Sequence, residues 1–196
     1  WSSDVCSSDL DHTPSPMLKP LAVALLLAAP LAAQGSMAGH NHGGKPIVIP
    51  PGAQYTVADV EFMQGMIAHH AQAIVMSRLA ESRNANPRLL KLAKKIDLSQ
   101  MPEIKQMQGW LRFYGQEAPD TSSWRAMRMA GMLSDEEMAK LESATGVAFD
   151  RAFLNYMIMH HEGALKMVAD LFAVPLAGQQ IDVNVFANDV VTAQTA

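Results

Sequence analysis

The sequence contains a single cysteine, Cys6, among 196 residues. Cys6 lies in the opening stretch WSSDVCSSDL, ahead of the first methionine, Met17. A domain that begins after Met17 therefore has no disulfide, no thiolate metal ligand and no cysteine nucleophile. Methionine, by contrast, occurs 14 times and recurs beside histidine.

Charged residues are also scarce, at 17% of the chain, and the formal net charge is only −4. The absence of a basic excess argues against a nucleic acid or an anionic membrane surface as partner. The sequence further lacks a nucleophile–base pair, a phosphate-binding loop and paired carboxylates. We therefore do not expect an enzyme.

The first 33 residues are expected to lie outside the folded domain. Residues 1–16 are interpreted as a translated sequencing-library adapter followed by upstream read-through, and are excluded from fold reasoning. Residues 17–33 combine the basic Lys19, a short apolar run and small residues, which together predict a signal peptide. The run is shorter than the roughly 20 residues of a membrane span. We expect export to the periplasm or the exterior, with no membrane span after cleavage.

The remaining sequence predicts only α-helices. A flexible arm rich in Gly and Pro, with two His, covers residues 34–55, and the domain covers 56–196. Capping boxes at Thr56 and Ser134 mark two helix starts. Pro102 predicts a kink. Helices are expected over about 57–83, 88–114, 135–145, 149–173 and from 182 onward.

The chain repeats itself at an offset of 91 residues. DVEFMQGMIAHHAQAIVM at 59–76 aligns without gaps on DRAFLNYMIMHHEGALKM at 150–167, and residues 92–107 align on 186–196. Each copy predicts a helical hairpin, and two hairpins predict an all-α four-helix bundle, because one hairpin cannot cover its own apolar face. The second copy stops before its counterparts of Glu103 and Met107. We therefore expect a truncated C-terminus and a more exposed second half of the bundle.

Each repeat places a histidine within a stripe of apolar residues. The first stripe consists of Phe62, Met66, His69, Ala73 and Met76, and the second of Phe153, Met157, His160, Ala164 and Met167. His70 and His161 lie on the flanks of these stripes. On the partner helix, one face carries Gln100, Glu103 and Met107.

These stripes have a structural and a functional interpretation. Methionines at helical spacing usually fill a core, and a lone buried histidine is usually satisfied by a hydrogen bond. Two buried imidazoles beside thioethers, in two copies, favour a metal site instead, because burying them unpaired is costly. Thioether sulfur selects Cu(I), and imidazole suits both oxidation states of copper. The stripes therefore predict copper, with Cu(I) favoured and Cu(II) as the alternative state.

Three alternatives remain open at this point. They are a ferritin-type metal-dependent oxidase, a metal-free interaction module, and zinc or another divalent ion at the His pairs. A di-iron centre would need Glu-x-x-His, and no Glu lies three residues before any of the four paired histidines. Weaker candidate ligands are His40, His42, Met127, Met129 and Met132. An arm that binds no metal would explain the two histidines equally well, and a hydrophobic plug under the bundle would explain the three methionines equally well.

The segments FMQGMIAHHAQAIVM, SQMPEIKQM and FLNYMIMHHEGALKM resemble the domain of unknown function 305 family, over roughly residues 55–196. Its members are typically exported bacterial proteins with a ferritin-like helical bundle. Some are similar to periplasmic copper-binding proteins that contribute to copper resistance. The resemblance implies buffering or transfer of copper, with another periplasmic copper protein as candidate partner. It implies metal-site roles for Met66, His69, His70, Met76, Glu103, Met107, Met157, His160, His161 and Met167.

Overall fold

The computed structural model describes residues 46–195, and within that range it contains helices and loops but no strand. The predicted all-α fold is confirmed, and the helix bounds agree with the sequence pattern to within about one turn. The predicted leader and the histidines at 40 and 42 lie outside the described residues. The helices are α1 Val57–Leu79, α2 Pro87–Phe113, α3 Asp135–Ser143, α4 Gly146–Ala173 and α5 Ile181–Gln194.

The predicted helix starts are present as capping boxes. At α1 the Thr56 N–H donates to Asp59 Oδ2 at 2.7 Å, and the Asp59 N–H donates to Thr56 Oγ1 at 3.3 Å. Ser134 and Glu137 form the same pair at α3. α2 continues as one helix through the exposed Pro102. Local sequence therefore fixes where these helices begin.

α1 packs on α2, α4 packs on α5, and the two hairpins meet through α1 and α4. α1 and α4 run antiparallel, as contacts at both of their ends show. The Gly146 N–H at the start of α4 donates to the Arg83 carbonyl beyond the end of α1, at 2.8 Å. The Gly178 N–H beyond α4 donates to Asp59 Oδ1 near the start of α1, at 2.7 Å. The two copies of the repeat are thus related by a pseudo-twofold arrangement.

Equivalent aspartates of the two copies tie the hairpins together. Asp59 accepts from Gly178 in the α4–α5 connection, and Asp150 accepts from the Asn86 N–H in the α1–α2 connection at 3.0 Å. Each carboxylate thus binds a backbone N–H in the turn of the other hairpin. Asp59 is fully buried, whereas Asp150 is only partly buried. These hydrogen bonds fix the position of α1 along the length of α4.

α1 is the central helix, and it is buried on nearly every side. α4 keeps the single buried stripe that its sequence predicts and exposes Ile158 on the opposite face. The difference arises because the long connection after α2 covers the outer face of α1. Gln64 Nε2 donates to the Glu117 carbonyl at 2.8 Å, and Gln72 Nε2 donates to the Leu133 carbonyl at 2.9 Å.

The described end of the predicted arm, residues 46–55, also contacts the helices. Tyr55 is buried, and its ring lies 5.4 Å from that of Trp110 and 4.5 Å from that of Tyr114, centroid to centroid. Gln116 Nε2 donates to the Val48 carbonyl at 3.0 Å. Among the described residues, no helix is both long and apolar enough to cross a membrane.

The aspartate ties generate a stability prediction. Asp59→Ala should lower the free energy of unfolding by about 2–4 kcal/mol, because it removes a helix cap and a buried charge-assisted hydrogen bond together. Asp150→Ala, which loses only the partly exposed tie, should lower it by about 1 kcal/mol. Urea unfolding of both variants measures the difference. Equal losses would mean that the cap and the buried contact of Asp59 together contribute no more than the partly exposed hydrogen bond of Asp150.

Candidate metal centre

Four imidazoles form a row across the middle of the bundle. The rings of His69 on α1 and His160 on α4 are in contact, with centroids 3.7 Å apart and planes inclined by 40°. The ring of His70 lies 6.4 Å from that of His69, and the ring of His161 lies 6.5 Å from that of His160, centroid to centroid. The two residues that the repeat makes equivalent, His69 and His160, therefore touch at the centre.

Burial keeps the central pair neutral. Desolvation, followed by the neighbouring His70, lowers the pKa of His69 from 6.5 to about 3. Desolvation, followed by His69, lowers the pKa of His160 well below its usual range. Desolvation also lowers the pKa of the partly exposed His161. A neutral imidazole offers one nitrogen lone pair, which is the form that binds a metal.

Oxygen acceptors fix the tautomers of three of these rings. The Nε2–H of His69 donates to the Ala130 carbonyl at 3.2 Å, and the Nδ1–H of His161 donates to the Met157 carbonyl at 2.7 Å. His70 Nε2 lies 2.7 Å from Glu103 Oε2. For His69 and His161, whose pKa values are lowered, the contact leaves the other nitrogen of the neutral ring with its lone pair free. Metal-binding histidines commonly donate their second N–H to a carbonyl or carboxylate in this way.

Several buried polar atoms of the row have no hydrogen-bond partner among the described residues. They are His70 Nδ1, both ring nitrogens of His160, and Gln100 Oε1. A buried polar atom left unpaired costs about 1–3 kcal/mol. Hydrogen bonding within the described residues therefore does not explain why position 160 carries a histidine rather than an aliphatic residue of similar size.

Thioethers flank the central pair at both ends. Met66 and Met76 are fully buried on α1, and Met157 and Met167 are about 95% buried on α4. Because α1 and α4 run antiparallel, Met66 and Met167 lie at one end of the imidazole pair, and Met76 and Met157 lie at the other. Each end thus combines one methionine from each copy of the repeat.

Glu103 and Met107 lie on α2, where Met107 is fully buried and Glu103 reaches His70. A cleft of about 610 Å³ opens beside Glu103, between α2, α4 and the end of α5, and Met157 and His161 also line it. His70 is completely buried, while His161 is partly exposed. The two flanking histidines thus differ in their exposure. In the described part of the chain, no three His, Cys, Asp or Glu side chains stand close enough to hold a metal by themselves.

The family model for the domain of unknown function 305 (DUF305) matches residues 59–196. The chain belongs to the DUF305 family. A DUF305 fragment from Deinococcus radiodurans is 32% identical, with a TM-score of 0.62 over 72% of this chain and 90% of that one. A DUF305 protein from Streptomyces coelicolor, thought to be secreted, is 27% identical, with a TM-score of 0.60 over 73% and 87%.

CopM in its Cu(I)-bound form is similar to this DUF305 chain, with 27% identity and a TM-score of 0.55 over 70% of this chain and 87% of CopM. CopM has also been solved with Cu(II), with silver and in the apo form. An uncharacterised protein of Acanthamoeba polyphaga mimivirus is 41% identical over 54 residues, which are 28% of this chain and 36% of that protein. The match to this curated relative spans about a third of its length.

The loop that carries the weaker candidate ligands Met127, Met129 and Met132 completes the surroundings of the site in this DUF305 chain, through a backbone contact that the sequence prediction missed. Residues 127–133, called the methionine loop below, supply the Ala130 carbonyl that holds His69. Gln72 fixes the end of this loop, because its Nε2 donates to the Leu133 carbonyl and its Oε1 accepts from the Leu133 N–H, at 2.9 and 2.7 Å. One signal was available: Gln72 lies one turn after His69, and the repeat replaces it by glycine.

The neutral central pair predicts a pH dependence. Unfolding returns His69 to a pKa near 6.5, so the unfolded chain binds more protons between pH 6.5 and about 3. The free energy of unfolding of the metal-free protein should therefore fall on acidification below pH 6.5, by about 1.4 kcal/mol per pH unit for each buried histidine. The double variant His69→Leu, His160→Leu should show a shallower dependence. Equal slopes for the two proteins would show that these rings are not the groups that titrate.

Proposed function

We propose that this DUF305 chain is an exported copper-binding protein that buffers copper or hands it on, with Cu(I) as the favoured ion and Cu(II) as the second state. The observation that carries the proposal is the contact of His69 and His160 at the centre of a thioether-lined interior. The His160 nitrogens have no other partner among the described residues. The role is binding rather than catalysis.

The donor set supports copper over the alternatives. Cu(I) accepts thioether and imidazole ligands, whereas structural and catalytic zinc sites use Cys, His and carboxylates. A ferritin-type oxidase would need several carboxylates at the histidines, and the carboxylate in contact with the row is Glu103. CopM, the structural relative solved with both copper ions, adds independent support. Export rests on the predicted leader and on the relative thought to be secreted.

The open cleft supports a role in exchange. Met157 and His161 line it together with Glu103, so it joins the buried row to the surface. The lone pair of His161 Nε2 is free, because its Nδ1–H is bound to the Met157 carbonyl. A donor or acceptor protein would meet the ion at this edge, while the half around His70 stays closed.

The first test concerns the central histidines. His160→Leu should raise the stability of the apo protein by about 1–3 kcal/mol, because it removes two unpaired buried nitrogens. His69→Leu should leave stability nearly unchanged, since it also strands the Ala130 carbonyl. Both substitutions should lower copper affinity in a competition titration with Cu(I), Cu(II) and Zn(II). Loss of folding with unchanged copper binding would show that the pair is structural.

The second test concerns oxidation state. Replacing Met66, Met76, Met157 and Met167 by Leu keeps side-chain volume but removes soft sulfur. Cu(I) affinity should then fall far more than Cu(II) affinity, which rests on the imidazoles. The matched control is Met63→Leu, a fully buried methionine of α1 outside the predicted set. Equal losses for both ions would contradict the softness argument.

A further inference from the structure

The methionine loop brings two more sulfur atoms to the bundle, beside the imidazole row. A Cβ added at Gly65 on α1 would lie 2.9 Å from Met129 Sδ and 3.4 Å from the Met167 methyl carbon. Because Gly65 has no side chain, Met129 of the loop and Met167 of α4 can both pack against α1 at this position. Met132 is the next methionine of the loop, and its Sδ accepts a hydrogen bond from the Met129 N–H at 3.3 Å.

The backbone of the loop is held firmly in this place. Gly131 has a φ of +74°, and a Cβ there would lie 2.5 Å from the Met159 carbonyl oxygen. A Cβ at Gly163 would lie 2.0 Å from the Ala130 carbonyl oxygen. The loop and α4 thus come close together at Gly131 and Gly163, where a Cβ on either residue would clash with the backbone of the other segment. The clamp from Gln72 to Leu133 fixes the other end of the loop.

The loop also joins this thioether cluster to the imidazole row. Gly65 precedes His69 by four residues, which is about one helical turn. Ala130, next in sequence to Met129, accepts from His69. Met129 is about 90% buried, and Met132 is only partly buried, so the cluster reaches from the surface to the interior.

We propose that Met129, Met132 and Met167 form a second metal site, built from thioethers, which binds a soft monovalent ion, Cu(I) or Ag(I). Three thioethers without a nitrogen or carboxylate ligand select such an ion over Cu(II) and Zn(II). The site rests on the proposed function for the identity of the natural ion. Its binding of Ag(I) does not require the central histidines.

The test is a titration of the full chain with Ag(I), Cu(I) and Cu(II). Met129→Leu keeps the packing and removes one sulfur, and Gly65→Ala keeps every sulfur but displaces that of Met129. Both variants should lose one equivalent of bound monovalent ion, or bind it about tenfold more weakly, with Cu(II) binding unchanged. Two controls should behave like the wild type: Met127→Leu, a buried methionine of the same loop, and Gly109→Ala, an exposed helical glycine with no atom within 4 Å of the added Cβ.

The double variant His69→Leu, His160→Leu separates the two proposals. It should still bind Ag(I), with sulfur as the ligand detected by X-ray absorption, even if its affinity for copper at the central pair is lost. Unchanged monovalent stoichiometry and affinity in Met129→Leu would overturn the second site alone and identify the loop as packing. A wild-type chain that binds no monovalent ion would overturn both proposals.

Discussion

The contact between His69 and His160 is the constraint around which the bundle is arranged. Two rings whose centroids lie 3.7 Å apart leave no space for water between them. The same residue of each repeat occupies the contact, so α1 and α4 meet there at equivalent positions of the two copies. Asp59 and Asp150 fix the relative position of the two helices near their ends, because each accepts a hydrogen bond from a backbone N–H of the opposite hairpin.

The two copies are equivalent at this centre and diverge away from it. Gln72 of the first copy corresponds to Gly163 of the second, and both changes serve the same loop: the glutamine binds its backbone, and the glycine makes room for it. His70 is fully buried and contacts Glu103, whereas His161 is partly exposed and lines the cleft. The repeat thus supplies equivalent histidines that differ in their exposure.

Much of the fold follows from the sequence, because its signals are local. Capping boxes fix the starts of α1 and α3, and the repeat fixes the pairing of the hairpins. The stripe on α4 also has its predicted buried face. α1 departs from its narrow stripe, since the connection between α2 and α3 covers its outer side. Such a contact has no periodicity in the sequence, so the loop methionines could be named as candidates, but the bond from His69 to the Ala130 carbonyl could not be predicted.

The central site combines two properties that a purely structural core avoids together. The central imidazoles are neutral because they are desolvated, and the ring of His160 contacts His69 but has no hydrogen-bond partner among the described residues. A hydrogen-bonding partner at His160 would stabilise the apo protein, but it would occupy the lone pair that a metal needs. The folded apo protein therefore carries an unfavourable free energy at His160, where the proposed ion would bind. Since an ion that binds only the folded state stabilises it, that cost couples occupancy of the site to the stability of the whole bundle.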